Sequence, residues 1–206
     1  MGSIVTYDSA AQSIAQAESS PLGQPDWTGW REVPGGGSTP SAPAAVPYGG
    51  GLLLFVRGTN NLIYFNFLSA NGGSTGWRAE PCGGATLSGP TAVPNGQKPV
   101  VVVQGTNNGI YWNQLLEDGW TCWHEVPGGG ATLSAPTAMF FQNTFSMLVQ
   151  GLDNYIYGTL FTGDWTGWME VTGGGVTPSG PAATVVNGQV WYVVQGMDNG
   201  IYWHGR

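Results

Sequence analysis

The octapeptide Gln104-Gly105-Thr106-Asn107-Asn108-Gly109-Ile110-Tyr111 occurs in four versions along the chain. The other three begin at Arg57, Gln150 and Gln195, and the glycine in second place recurs at intervals of 47, 46 and 45 residues. Each copy lies between two short apolar runs. Because Gly, Asn and Asp adopt a positive φ at low cost, each copy predicts a tight β-hairpin. A period of about 46 residues with several strands per repeat is typical of β-propeller blades.

The two ends of the repeat region complement each other. Each full repeat contains four strand-like segments, but the last repeat ends after three. Residues 27–33 match residues 165–171, a fourth strand, at every position except one. We therefore predict an all-β propeller of four four-stranded blades over residues 26–206, closed by pairing residues 27–33 with residues 200–204. Two chains completing one larger propeller, and hence a homo-oligomer, are the alternative. Residues 1–25 are predicted to form an N-terminal extension or tail.

The composition excludes several classes of partner. Only 8% of the 206 residues are charged, the formal net charge is −7, and Lys98 is the single lysine. Nucleic acid is not an expected partner, because phosphate backbones require clustered Lys and Arg. The sequence has no apolar run of about 18 residues, so no membrane insertion is expected. No signal peptide is visible, which leaves a cytoplasmic location and secretion by a non-standard route both open. With 10 Trp, 8 Tyr and 7 Phe, the chain is suited to neutral ligands.

The reactive side chains do not predict catalysis. The two histidines lie at different positions of their repeats, and no known catalytic or phosphate-binding motif is present. Cys82 and Cys122 also occupy unlike positions in their repeats, so we expect both to be reduced. The spacing of His and Cys matches no usual zinc pattern. We expect neither an enzyme nor a protein with a metal or cofactor.

Tryptophan gives the clearest indication of a ligand site. Three Trp pairs are spaced i, i+3, which places the two indoles on opposite faces of a strand. One indole of each pair is expected to pack between blades and the other to line a cleft beside a Glu two residues later. An aromatic plane next to a carboxylate suits a sugar. The predicted ligand residues are Trp30, Glu32, Trp77, Trp123, Glu125, Trp168 and Glu170, together with the hairpin residues Asn60, Asn107, Asp153 and Asp198.

Packing is the alternative role for these residues. Every Trp can hold neighbouring blades together, and Asn or Asp in a hairpin stabilises the turn through side-chain to backbone hydrogen bonds. The copy that contains Trp77 departs from the pattern, because Ala79 replaces the Glu and Ser74 replaces the first Trp. If Trp and Glu together form the pocket, this copy is expected to be the weakest, which leaves at most three strong sites per chain.

The full repeat, W-x-x-W-x-E-V-P-G-G-G followed by S-A-P-A-A and L-x-V-x-G-x-[DN]-N-x-I-Y, resembles the blades of propeller lectins. The similarity covers residues 26–206 and is strongest to the fucose-binding PLL type and looser to tachylectin-2. It implies shallow pockets between blades, no catalysis and no obligatory metal. Those lectins have five to seven blades, whereas this chain has four repeats. The resemblance predicts a multivalent lectin for neutral or fucosylated glycans. A structural or protein-interaction propeller without sugar binding is the alternative.

Overall fold

The computed structural model describes residues 29–205. The chain divides into two units, residues 1–32 and 33–206, and only residues 29–32 of the first unit are described. Within the described part of the second unit all regular structure is β-strand. The strands form four antiparallel sheets in chain order, arranged as a four-bladed β-propeller. The predicted fold class is confirmed.

The blades differ in how many strands they contain. Blade 1 comprises β1 (Ala44–Tyr48), β2 (Gly51–Arg57), β3 (Ile63–Ser69) and β4 (Arg78–Ala79). Blade 2 comprises β5 (Thr91–Val93), β6 (Val100–Gln104), β7 (Ile110–Leu116), β8 (Gly119–Trp120) and β9 (His124–Glu125). Blade 3 comprises β10 (Thr137–Phe141), β11 (Thr144–Gln150), β12 (Ile156–Phe161) and β13 (Met169–Glu170). Blade 4 comprises β14 (Ala182–Val186), β15 (Gln189–Gln195) and β16 (Ile201–Gly205).

Each octapeptide forms the predicted hairpin between the second and third strands of its blade. The amide of its glycine donates to the carbonyl four residues later, as from Gly105 to Gly109 and from Gly196 to Gly200, both at 2.8 Å. One Asn in each turn has a positive φ of 64–68°: Asn61, Asn108, Asn154 and Asn199. Four different neighbourhoods thus contain the same local structure, which shows that the octapeptide itself specifies the turn.

In blades 1, 2 and 3 the strand that corresponds to the predicted fourth strand is shorter than the sequence predicts. β4, β9 and β13 contain two residues each. The residue two positions before each of these strands, Gly76, Cys122 or Gly167, has a positive φ of 66–78°. Left-handed backbone at this position is incompatible with a regular strand, so pairing is confined to the residues that follow.

The apolar core lies between successive blades. One cluster joins β2 and β3 of blade 1 to β6 of blade 2 and includes Phe55, Ile63 and Val101. A second joins blade 2 to blade 3 and includes Val102, Ile110, Met147 and Val149. Because side chains alternate across a strand, Val101 faces blade 1 while Val102 faces blade 3. The central strand β6 is therefore covered on both sides, by blade 1 and by blade 3.

Hydrogen bonds between successive blades start from the first residue of the octapeptide. The Gln104 side chain donates to the Thr132 carbonyl at 2.8 Å, and Gln150 donates to the Thr177 carbonyl at 2.9 Å. Arg57 reaches the Leu87 carbonyl in the same way, at 2.6 Å. Since each acceptor belongs to the loop that enters the next blade, these side chains set the spacing of neighbouring blades.

The fourth blade remains a three-stranded sheet in the described chain. β16 pairs with β15 and with no other strand of residues 33–205. Residues 29–33 form no strand, and Trp27 and Thr28 lie outside the described residues. The predicted closure of the propeller by residues 27–33 therefore stays a prediction.

The expectation of two reduced cysteines is wrong, because Cys82 and Cys122 form a disulfide. Their positions in the repeat differ, but the repeat brings those two positions together in space. In blade 1 the equivalent pair is Gly35 and Gly76, and a Cβ built on Gly35 would lie 3.3 Å from the Gly76 Cα. Comparison of repeat positions in three dimensions, rather than along the sequence, would have predicted the bond.

Candidate functional site

A similar cavity lies beside the octapeptide hairpin in several blades, and we call it the hairpin-side pocket. In blade 1 it has a volume of about 230 Å³, and in blade 3 about 290 Å³. The blade 1 pocket is lined by Gly36, Gly37, Val56, Asn60, Tyr64 and Trp77. The blade 3 pocket is lined by the equivalent Gly129, Gly130, Val149, Asp153, Tyr157 and Trp168. The pockets of blades 1 and 3 are therefore lined by the same kinds of residue: a Gly-rich loop, a hairpin Asn or Asp, a Tyr and a Trp.

Blade 4 has a larger version of this pocket, with a volume of about 510 Å³. Asp198 and Tyr202 line it as their equivalents do in the other blades. No described fourth strand supplies an indole here, and the side chains of Trp203 and His204 form part of the wall instead.

The hairpin Asn or Asp has two roles in every blade. One side-chain oxygen accepts a backbone amide two residues later, as Asp198 does from Gly200 at 2.9 Å. The other terminal atom bonds the Tyr hydroxyl. Asn60 and Asn107 donate to their tyrosines at 3.1 and 3.0 Å, whereas Tyr157 and Tyr202 donate to Asp153 and Asp198 at 2.8 Å. The turn-stabilising role considered for these residues is present, and the same side chains also orient the Tyr at the pocket.

The hairpin residue is Asn in blades 1 and 2 and Asp in blades 3 and 4, and this difference changes the hydrogen-bonding groups at the pocket. The hydrogen bond to Asp153 raises the pKa of Tyr157 above its usual value, and Asp198 has the same effect on the pKa of Tyr202. The backbone amide of Gly200, with Tyr202, lowers the pKa of Asp198. In blades 3 and 4 the Tyr proton is therefore held by a carboxylate. In blades 1 and 2 the Tyr hydroxyl accepts from Asn, which leaves its proton available to another acceptor.

The pocket tryptophans pack closely against the Gly-rich loop. A Cβ on Gly37 would lie 2.3 Å from the Trp77 Nε1, and one on Gly130 would lie 2.1 Å from the Trp168 Nε1. Neither indole N–H has a hydrogen-bond partner in the described structure, and both nitrogens are buried. Glycine is required here because any side chain would displace the indole. These tryptophans thus pack against the loop and line a cavity at the same time.

In the two Trp pairs that lie within residues 33–205, the first Trp packs towards the preceding blade. The Trp120 ring centroid lies 5.8 Å from that of Phe55 and 5.7 Å from that of Phe65. Trp165 lies 6.4 Å from Trp112. These indoles contribute to the core between blades.

Blade 2 contains a modified version of the site. The Trp123 Nε1 donates to the Glu80 carboxylate at 3.0 Å and to the Gly83 carbonyl at 2.6 Å. Glu80 also accepts from Asn113 at 2.9 Å and from the Cys82 amide at 3.1 Å. Burial raises the pKa of the Glu80 carboxyl, although these hydrogen bonds oppose that effect. The bond between Cys82 and Cys122 lies next to this cluster, so blade 2 is tied to blade 1 more firmly than the repeat alone requires.

The predicted glutamates do not line the hairpin-side pockets, although Glu170 lines a separate cavity of about 530 Å³ between blades 3 and 4. Glu125 and Glu170 are exposed on the fourth strand, directly opposite Tyr111 and Tyr157, and Ala79 occupies the same place opposite Tyr64. The charge of Glu170 contributes to raising the pKa of Tyr157. Trp30 and Glu32 belong to the first unit and are exposed. The structure thus brings Trp together with Asn or Asp, and it places Glu at the side.

Sequence reasoning missed the four tyrosines and Glu80. The tyrosines are the last residues of the octapeptides, four positions after the hairpin Asn or Asp, so the repeat contained the signal. Glu80 replaces the Val that ends the fourth strand in the other copies, as in Val126 and Val171. A carboxylate at an otherwise apolar repeat position indicates a local polar partner, here the Trp123 indole.

Two further observations concern residues 29–205. These residues contain no group of three or more His, Cys, Asp or Glu side chains placed to hold a metal ion. They also contain no helix with the length and apolar character needed to cross a membrane.

The chain is similar to known proteins in its structure and not in its sequence. No family model matches the sequence, and no curated protein matches it. The BP39L lectin of Burkholderia pseudomallei is similar, with a TM-score of 0.71 and 17% identity, over 87% of this chain and 57% of that one. AofleA of Arthrobotrys oligospora has a TM-score of 0.60 and 15% identity, over 80% of this chain and 52% of that one.

The fold is that of propeller lectins. The fucose-specific lectin of Aleuria aurantia, with a TM-score of 0.56 and 17% identity, matches over 81% of this chain and 61% of its own. The predicted resemblance to propeller lectins is confirmed as a resemblance of fold. The chain spans between about half and three fifths of the length of these proteins.

Proposed function

We propose that this protein is a non-enzymatic, multivalent lectin that binds neutral or fucosylated glycans in its hairpin-side pockets. The observation that carries the proposal is the recurrence of one cavity, with Trp, Tyr and Asn or Asp in equivalent places, in blades 1 and 3. Residues that only stabilise a turn need no cavity beside them. The lectin folds to which the chain is similar support the proposal, and the Aleuria aurantia protein is fucose-specific.

The chemistry of the pocket suits a sugar ring. The indole of Trp77 or Trp168 offers an apolar face for ring C–H groups, while the Tyr and its Asn or Asp partner offer hydrogen bonds to hydroxyls. The volumes of about 230 and 290 Å³ suit a single monosaccharide residue. Weak individual sites on one rigid chain give high avidity for a surface that displays many copies of a glycan.

The sites are proposed to be unequal. Blade 1 lacks the flanking Glu because Ala79 replaces it, whereas the other three copies of the repeat keep it as Glu32, Glu125 and Glu170. A hydrogen bond to a charged group contributes roughly 1.5 to 3 kcal/mol, which corresponds to about a tenfold to hundredfold difference in affinity. We therefore keep the expectation of at most three strong sites.

Calorimetric titration of the full chain with methyl α-L-fucoside, followed by a panel of neutral monosaccharides, tests the proposal. We expect saturable binding with fewer than four strong sites, and a loss of the blade 3 site in Trp168→Ala. Leu133→Ala, at an exposed position outside the pockets, is the control variant. Four equal strong sites would show that the flanking Glu and the indole do not decide affinity.

A structural or protein-interaction propeller is the second candidate. The close contacts of Gly37 with Trp77 and of Gly130 with Trp168 favour it, because they give both indoles a packing role. In that case no sugar on a broad glycan array would bind, and Trp168→Ala would lower the free energy of unfolding without affecting any ligand.

A further inference from the structure

A different cavity, of about 530 Å³, lies between blades 2 and 3. Its polar lining includes Asn95, Gln142 and Asn143, which belong to the hairpins between the first and second strands of these blades. Successive hairpins of an antiparallel sheet lie at opposite strand ends, so this cavity is on the side away from the octapeptides. We call it the aromatic cavity, because its apolar wall contains Trp112, Phe140, Phe145, Phe161 and Trp165.

The rings of this wall form one connected group. The Trp165 centroid lies 5.2 Å from Phe161, 6.1 Å from Phe145 and 6.4 Å from Trp112. Phe140 stacks on Phe145 at 4.8 Å. Only Phe145 is buried, while the other four are half-buried. The protein itself therefore leaves part of each of these four ring surfaces uncovered.

The fold does not require these aromatic residues. The strand register places Phe140 opposite Phe145, and Phe145 opposite Phe161. The positions equivalent to these three Phe residues are occupied by Pro94, Pro99 and Leu115 in blade 2, and by Pro47, Leu52 and Leu68 in blade 1. Blade 3 alone among these three has Phe at all three positions. A departure from the repeat that enlarges an open aromatic surface indicates a local role beyond folding.

The junction between blades 1 and 2 shows how the same space is otherwise filled. There Phe55 occupies the second strand and its ring packs edge-on against Trp120. At the next junction Val102 takes the place of Phe55, because both lie two residues before the start of the octapeptide. Val102 is fully buried, and the residue of the same strand that lines the cavity is Val100.

The lining indicates the chemistry of an occupant. The polar groups around the cavity are neutral amides, and no charged side chain belongs to its described lining. A volume of about 530 Å³ lies in the range of roughly 300–1,000 Å³ found for small-molecule sites. Five aromatic rings line this cavity, whereas one Trp and one Tyr line each hairpin-side pocket of blades 1 and 3, so most of the surface of an occupant would lie against rings. An uncharged aromatic ring would stack on the indoles and reach the amides at its edge.

We propose that the aromatic cavity is a second ligand site, independent of the hairpin-side pockets, that takes an uncharged aromatic group. The site belongs to blades 2 and 3 and lies at the opposite end of the strands from the proposed sugar pockets. A natural ligand is a neutral aromatic compound, free or as the aromatic substituent of a larger molecule.

Titration calorimetry with 2-naphthol, which is uncharged at neutral pH, tests this inference on the full chain. We expect one saturable site per chain. Trp165→Ala is expected to weaken binding roughly tenfold or more, because it removes the central ring. Gln114→Trp changes a half-buried lining residue and is expected to block the cavity without removing any core side chain.

Leu133→Ala is the control, because Leu133 is exposed and lines neither the aromatic cavity nor the hairpin-side pockets. We expect this variant to bind 2-naphthol as the parent does, whether or not the parent binds sugars. Near-ultraviolet circular dichroism of Gln114→Trp establishes that the variant is folded. The absence of saturable binding, or binding unchanged by both Trp165→Ala and Gln114→Trp, would overturn the proposal. Competition by methyl α-L-fucoside in Trp168→Ala would also overturn it, since the cavity would then be a sugar site.

Discussion

Blades 2 and 4 contain the same octapeptide hairpin in very different surroundings. The hairpin hydrogen bonds have equal lengths in the two blades, yet Ile110 is completely buried and the equivalent Ile201 is 82% exposed. Every residue of β6 is buried, whereas none of the equivalent strand β15 is. The local turn therefore does not depend on burial. Burial is supplied by the next blade, which covers Ile110 and which the described part of the chain does not provide for Ile201.

Polar links show the same difference. Gln104 in blade 2 donates to the loop that enters blade 3. Gln104 and the equivalent Gln195 both donate within their own hairpins, to Asn108 at 3.0 Å and to Asn199 at 2.8 Å. Gln195 also accepts from Ser179 in the preceding loop, at 3.3 Å, but it makes no hydrogen bond to a following blade within residues 33–205. Identical side chains thus become links between blades only where a following blade exists.

The largest effect is expected from removal of residues 1–33. If residues 27–33 complete blade 4, the truncated chain will lose cooperative unfolding or will form oligomers, because the β16 edge is left open. Urea unfolding and light scattering measure the two outcomes. Removal of residues 1–25, which keeps the matching segment, is the control. A truncated monomer as stable as the full chain would contradict closure of the propeller by residues 27–33.

Ile110→Ala and Ile201→Ala compare the two blades directly. We expect Ile110→Ala to lower the free energy of unfolding by about 2–5 kcal/mol, because it leaves a cavity in the core. Ile201→Ala is expected to cost no more than about 0.5 kcal/mol, as is usual for exposed positions. Equal losses in urea unfolding would mean that the face of blade 4 is covered in solution.

The disulfide provides a third test, because it fixes blade 2 to the loop from blade 1. Replacing both Cys82 and Cys122 by Gly restores the repeat pattern and avoids strain at Cys122, whose φ is 66°. We expect a loss of about 2–4 kcal/mol, since the bond closes a loop in the unfolded chain. Thermal unfolding of the variant and of the reduced parent should agree. An unchanged midpoint in both would show that the bond does not stabilise blade 2.

The smallest effect concerns the pH dependence produced by Glu80. Burial raises the pKa of this carboxyl in the folded chain. The folded state therefore binds the proton more tightly than the unfolded state, and this contribution to stability is fully present at low pH and lost as pH rises through the raised pKa. Compared with Glu80→Gln, the parent should become relatively less stable as pH rises from about 4 towards neutrality. Unfolding free energies measured across this range check the trend, with Glu117→Gln as a charge-matched control. A constant difference between the parent and Glu80→Gln would contradict it.

The sequence by itself determined the repeated elements. Each octapeptide contains the residues that a tight hairpin needs, so the turns, the number of blades and the all-β class follow from local preferences. The i, i+3 spacing also predicted that the two Trp of a pair have different surroundings, as Trp120 with Trp123 and Trp165 with Trp168 do. The reason is not simple strand alternation, because Cys122 or Gly167 within each pair has a left-handed backbone.

Only the tertiary structure decided what depends on contacts between distant positions. It joined Cys82 to Cys122 and brought Glu80 to the Trp123 indole. It also placed Tyr64, Tyr157 and Tyr202 in the hairpin-side pockets, whose walls contain no Glu. Whether a given copy of the repeat is buried also depends on the neighbouring blade. These features arise from how two strands or two blades approach each other, and a one-dimensional period does not contain that information.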